Sequence, residues 1–205
     1  MIVLGISTSS KYPSAAVSAG TDGDLSILSF RIEERPGVSH SETLMSLIDG
    51  ALSDAGVPKN QLEAVAVDVG PGSFTGVRIG VSCANAIAFA LGIPVLPVYS
   101  LNALCAEHGD GPCAALIDCR NGNCYAAVFD NGSVITPPCA AVTREILDSL
   151  PAGCAVYGDV FEKSVGAYPD AVQVLIEASK ANTASVAQTA PMYLRPSQAE
   201  RMKKD

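Results

Sequence analysis

The order of its apolar runs constrains this chain more than any single motif does. Three strand-like runs at 2–7, 14–18 and 25–32 precede a helical pattern, in which Leu44, Ile48, Ala51, Leu52 and Ala55 share one face until Gly56 and Pro58 stop it. Ser39 and Glu42 have capping-box spacing at its start. A strand over 64–69 then enters a glycine-rich turn, a second helix covers 74–91 up to Gly92 and Pro94, and a strand follows at 94–98. From there the order restarts. Runs at 113–119 and 124–129 predict a hairpin, with Asn121-Gly122 supplying the positive φ angles of its turn. A return strand from about Val134, a helix at 143–150, a strand at 155–157 and a helix at 179–188 follow. Two strand–strand–strand–helix–strand–helix blocks predict a duplicated α/β architecture, one lobe over 1–99 and a smaller one over 100–205.

With 48% apolar and 17% charged residues in 205, the chain can bury a sizeable core and is no disordered polymer. The scarcity of aromatics, at 5%, predicts a core of small side chains. A net charge of −8 argues against nucleic-acid binding by this chain alone, because phosphates are held by Lys and Arg. Positive charge gathers only toward the tail, in Arg195, Arg201, Lys203 and Lys204. The seven cysteines contain no Cys-x-x-Cys pair, so neither a disulfide framework nor a zinc site is predicted. They read as small apolar residues in a reducing compartment. No signal-peptide pattern opens the chain, and the apolar stretch from Val77 to Leu91 is broken by Arg78, Gly80 and Asn85. A cytoplasmic protein without a membrane span is expected.

The most informative segment is Gly70-Pro71-Gly72-Ser73-Phe74-Thr75-Gly76-Val77-Arg78-Ile79-Gly80. A glycine loop between strand and helix can cradle an anion. A phosphate loop, however, needs Gly-Lys-Ser/Thr, and here Val77-Arg78 follows Gly76. The steric alternative rests on Gly76, Gly80, Ala84 and Ala88, a small-residue stripe that lets another surface approach the helix closely. That surface is either this protein's own sheet or a partner. Met45 and Leu47 lie off the main stripe of the first helix and widen its apolar face, which favours a partner.

At these residues the chain resembles the TsaB (YeaZ) family. The run from Gly70 to Gly80 is similar to that family's signature, and Ser39-His40-Ser41-Glu42 with Leu44 to its first-helix entry. Ile117-Asp118-Cys119-Arg120 with Tyr125 resembles its central hairpin, and Pro191–Pro196 with Gln198–Arg201 its C-terminal ending. The resemblance implies a two-lobed actin-like ATPase (ribonuclease H-like) fold, each lobe a mixed sheet with helices and the second shortened. It further implies a partner subunit without catalytic residues of its own, paired with a TsaD-type catalytic subunit that attaches a threonylcarbamoyl group to the adenosine beside the tRNA anticodon. A TsaE-type ATPase would join the assembled pair, tRNA would be contacted only indirectly, and the isolated chain would form a homodimer. The partner interface is then expected at Ser41, Leu44, Met45, Ile48 and Leu52 on the first helix and Ser73, Gly76, Val77, Gly80, Ala84 and Ala88 on the second. Gly80→Leu is expected to spare the fold and abolish pairing.

The alternative is a nucleotide-binding ATPase or kinase that retains the fold's chemistry. In the family an Asp is usual where this chain has Ser7, and a hydroxyl cannot supply the negative charge a magnesium ion wants. Asp118 is a weak nucleotide-site candidate, with Arg120 where a phosphate-binding turn prefers glycine. Asp118 as a turn cap is the simpler reading. His40 lacks a second histidine at i+4, where Leu44 stands, so no metal is expected, and His108 reads as a loop residue. No Gly-x-Ser-x-Gly elbow surrounds Ser73, which argues against a hydrolase. No cofactor is expected.

Overall fold

In the computed structural model, which describes residues 1–20, 24–35, 37–161, 167–180 and 183–195, the predicted alternation resolves into two mixed sheets. The first contains β1 (Ile2–Ser7), β2 (Ser14–Ala19), β3 (Ser26–Ile32), β4 (Ala64–Asp68) and β5 (Val95–Val98), in the order β3-β2-β1-β4-β5. β1, β2 and β3 run antiparallel, whereas β4 and β5 run parallel to β1. β4 is buried along its whole length and β1 nearly so, which is why both read as unbroken apolar runs. One face is covered by α1 (His40–Ala55), over β2 and β3, and by α2 (Phe74–Leu91), over β4 and β1. Between these layers Ala15, Ala51, Ala84 and Ala88 interleave with Leu4, Ile6, Ile48 and Val67, giving the small-side-chain core that composition predicts.

The second sheet is β8-β7-β6-β9, built from β6 (Pro112–Asp118), β7 (Asn123–Asp130), β8 (Ser133–Val142) and β9 (Ala155–Gly158). It repeats the antiparallel trio plus one parallel strand and stops there, one strand short of the first sheet. α3 (Ser100–Leu104) packs on one face and α4 (Thr143–Ser149) on the other. The β6–β7 turn holds Arg120, Asn121 and Gly122 in the left-handed region, so the positive φ angles expected of Asn121-Gly122 extend back to Arg120. The two-lobed α/β reading, with a shortened second lobe, holds.

Three expectations need correction. The helix expected at 179–188 lies earlier, as α5 (Ala171–Ser179), where Asp170 caps Val172 and Gln173 and the Gln173 side chain returns the bond. Beyond it, the described residues 183–190 are irregular, with Val186 bridged antiparallel to Val95 along the β5 edge. The capping box expected at Ser39 is not formed; its hydroxyl pairs with Ser41 instead, at 2.8 Å. Finally, the division at 99/100 is not followed by the packing. α5 covers the second face of the first sheet, where Ala171, Val174, Leu175 and Ala178 meet Val3, Ala16, Ala66 and Leu96. α2 is long and apolar enough to cross a membrane, yet Gly76, Val77, Gly80, Val81, Ala84 and Ala88 bury one of its faces in this fold.

Candidate functional site

Parallel strands deliver their carboxyl ends to one edge of a sheet, and ligands of open α/β folds bind there. At that edge of the first sheet stands Asp68, the last residue of β4 and fully buried. Ser7 of β1 donates to its Oδ2 at 3.0 Å, and Ser9 donates to the same oxygen. Gly70 N–H donates to Oδ1 at 2.9 Å, and the Ser100 hydroxyl at the start of α3 donates to the same oxygen at 2.5 Å. Burial pushes the carboxyl above its ordinary range; the donors from Ser100, Ser9, Gly70 and Ser7 pull it back only in part. Asp68 is thus enclosed by hydroxyls, turned away from any ligand. The one local signal of Asp68 in the sequence is an acid at the end of an otherwise apolar strand.

The glycine loop beside it is filled from within. Ser9 O accepts from Ser73 N–H at 2.6 Å, Ser73 Oγ accepts from Gly76 N–H at 3.2 Å, and Ser73 O accepts from Val77 N–H at 2.9 Å. The Ser73 and Gly76 N–H groups are among those an anion at this helix start would need, whereas the Val77 bond is the helix's own first turn. Any Cβ on Gly76 would collide with Thr8 O, and one on Gly80 with Thr8 Oγ1, while one on Gly72 would collide with Ser9 O. The turn after β1 therefore packs directly on the glycine loop and the start of α2, which is why these three positions admit no side chain.

A cleft of about 700 Å³ separates the two lobes at this edge. Its first-lobe wall is the 9–11 and 71–75 turns; its second-lobe wall is Asp118, Cys119, Arg120 and Asp159. Asp118 Oδ1 accepts from Arg120 N–H at 2.8 Å, the turn-capping role expected of it, and its own N–H donates to Asp159 Oδ1 at 2.6 Å. Asp118 and Arg120 do line the cleft together, with Arg120 exposed and in a left-handed conformation that glycine would adopt more readily. His40 Nε2 bonds Ser10 O at 2.6 Å and His108 Nδ1 bonds the Tyr157 hydroxyl at 2.9 Å, so neither pairs with a serine nucleophile. No group of three potential metal ligands occurs among the described residues. All seven cysteines are free thiols, and burial pushes Cys83, Cys105, Cys124 and Cys154 upward, away from thiolate chemistry.

The expected partner face divides sharply. Leu44, Gly76, Val77, Gly80, Ala84 and Ala88 are buried in this chain's own core, so they are not a docking surface in this fold, while Ile48 and Leu52 are buried but reach the floor of a groove between the helices. The four-residue stripe on α2 packs inward, against the Thr8 turn and the first sheet. Gly80→Leu would accordingly break the fold rather than spare it. Ser41, Met45 and Ser73 remain exposed, and Phe89, 82% exposed, stands on a separate side of α2, one turn beyond Asn85. Between the helices Met45, Leu52, Ile87, Ala90 and Leu91 line an apolar groove of about 140 Å³. Of the basic tail, Arg195 donates to Asn123 Oδ1 and Cys119 Sγ, while Arg201, Lys203 and Lys204 lie outside the described residues.

A β3-β2-β1-β4-β5 sheet facing a truncated copy of itself across a cleft is the actin-like, ribonuclease H-related class of α/β protein. The family model described as "TsaD: tRNA N6-adenosine threonylcarbamoyltransferase" matches residues 35–197. Among curated relatives, the tRNA threonylcarbamoyladenosine biosynthesis protein TsaB of Haemophilus influenzae is 28% identical over 196 residues, covering 80% of this chain and 83% of that one. TsaB of Bacillus subtilis is 38% identical over 93 residues, 44% of this chain and 41% of its own. A solved structure, described as an uncharacterised protein with similarity to peptidase YeaZ from Pseudomonas aeruginosa, superposes with a TM-score of 0.77 at 25% identity, over 95% of this chain and 99% of that one. The chain belongs to this TsaD family, on its TsaB (YeaZ) side.

Proposed function

We propose that the protein is a non-catalytic subunit in tRNA threonylcarbamoyladenosine biosynthesis, docked on a TsaD-type catalytic partner. Family membership supports the pathway. The observation that carries the non-catalytic reading is the enclosure of Asp68 by Ser7, Ser9, Ser100 and Gly70, beside a glycine loop already filled by the Thr8–Ser9 backbone. Among the described residues, the first lobe's side of the cleft thus offers an enclosed carboxylate and a glycine loop whose Ser73 and Gly76 N–H groups are already engaged. The acidic chain, at −8, then depends on its partner for contact with tRNA, and a cytoplasmic location fits that role.

The docking face is the outer surface of α1 and α2, with Met45 exposed at the groove that Ile87, Ala90 and Leu91 line, and Phe89 exposed on the adjoining side of α2. A TsaE-type ATPase would join that pair, and the same face would form a homodimer when the partner is missing. Met45→Asp with Phe89→Asp is expected to leave the melting transition of the isolated chain intact and to abolish co-purification with the TsaD-type subunit. Undiminished co-purification would remove the docking reading. Calorimetry of the isolated chain with ATP and magnesium separates the alternative: tight binding lost in Asp118→Ala would make it a nucleotide-binding enzyme.

A further inference from the structure

Arg78 and Asn85 interrupt the apolar face of α2, and their spacing of seven residues places them on one side of the helix. Both hold the same segment of chain. Asn85 pairs with the Thr189 backbone through two bonds, Nδ2 to Thr189 O at 2.9 Å and Thr189 N–H to Oδ1 at 3.0 Å. Arg78 Nε donates to the Tyr193 hydroxyl at 2.7 Å, its guanidinium lies 3.8 Å above the Phe74 ring, and Phe74 and Tyr193 stack at 4.8 Å. Between these anchors Met192 N–H donates to Val69 O at 2.7 Å, and the Met192 side chain packs on the first lobe's core.

The next two residues change lobes. Leu194 packs on the second lobe's core beside Tyr125, where Leu101, Cys113, Ile117 and Phe129 are buried. Arg195 reaches the β6–β7 turn, donating to Asn123 Oδ1 at 3.2 Å and to Cys119 Sγ at 3.4 Å. Residues 192 to 195 also form part of the cleft wall. The chain already passes between lobes at α3 and again between β9 and α5. A pair of crossings leaves two bodies free to turn about a hinge, whereas a further tie across the cleft between them opposes that rotation.

We propose that residues 189–195 are a staple that fixes the angle between the lobes and ties α2 to the β6–β7 turn. The cleft of this chain is a rigid one, and its width is set by Tyr193 and Leu194. Spin labels on genetically encoded residues at exposed Ser53 of α1 and Glu145 of α4 report the distance between lobes without touching the native thiols. Wild type is expected to give a single narrow distance distribution. Leu194→Asp, and separately Tyr193→Ala with Arg78→Ala, are expected to broaden it, with several-fold faster amide exchange at 119–123. Tyr193→Ala with Arg78→Ala carries the test if Leu194→Asp does not fold, since both side chains lie near the surface. A distribution unchanged while exchange in 189–195 rises would overturn the proposal, because the segment would then be detached and the lobes still fixed.

Discussion

Ser7 and Ser9, at the end of β1, and Ser100, at the start of α3, meet on one carboxylate, with Gly70 N–H as the fourth donor. Removing charge from such a site has a definite pH signature. Burial raises the Asp68 carboxyl above the ordinary value of 3.8, so over a window opening upward from there the folded chain keeps a proton that the unfolded chain has released. The associated stability is complete below 3.8 and is lost as pH rises through the folded value. In urea unfolding across a pH series, the free energy of wild type minus that of Asp68→Asn should therefore fall with rising pH and then level. A pH-independent difference would mean that the four donors just offset burial, and a difference that rises with pH below 3.8 would mean that they outweigh it.

Among the helices, α5 is the one whose cap is built from side chains at both positions of a box, and it is also the helix that covers the second face of the first sheet. Asp170→Ala should cost about 1–2 kcal/mol, and Asp170→Asn much less, both read from the urea midpoint. The box stands in the sequence as Asp170-x-x-Gln173, yet the helix expected at 179–188 starts eight residues after the one that forms. Strands β1, β2 and β4 and helices α1 and α2 were legible to within a residue or two, because burial on one or both faces imposes its own period. What periodicity does not contain is the identity of the opposing surface. Gly76, Gly80, Ala84 and Ala88 announced a close approach, and it is the chain's own Thr8 turn and sheet that approach. Asp68 was hidden for a related reason: its hydroxyl partners are 61, 59 and 32 residues away, beyond the reach of any local pattern.

For the whole molecule, two lobes in space are not two halves of sequence. The first sheet takes the helix that covers its second face from residues 171–179, and its β5 edge is paired by Val186. A fragment ending at residue 99 would leave Val3, Ala16, Ala66 and Leu96 without their cover. Such a fragment is expected to lack a cooperative melting transition, and adding residues 168–195 in trans to restore one. A fragment that melts cooperatively on its own would show that α5 is dispensable to the first sheet.

Synthesis runs from one end of a chain to the other, and this topology gives that direction a consequence. The first sheet is made early, but its bare face stays exposed until α5 leaves the ribosome, after the whole second lobe has been threaded. Through that interval an apolar surface of Val, Ala and Leu side chains is open to any passing strand. The nascent chain is thus the form of this protein with most to gain from a chaperone, and the one in which a slow codon before residue 171 would do most harm.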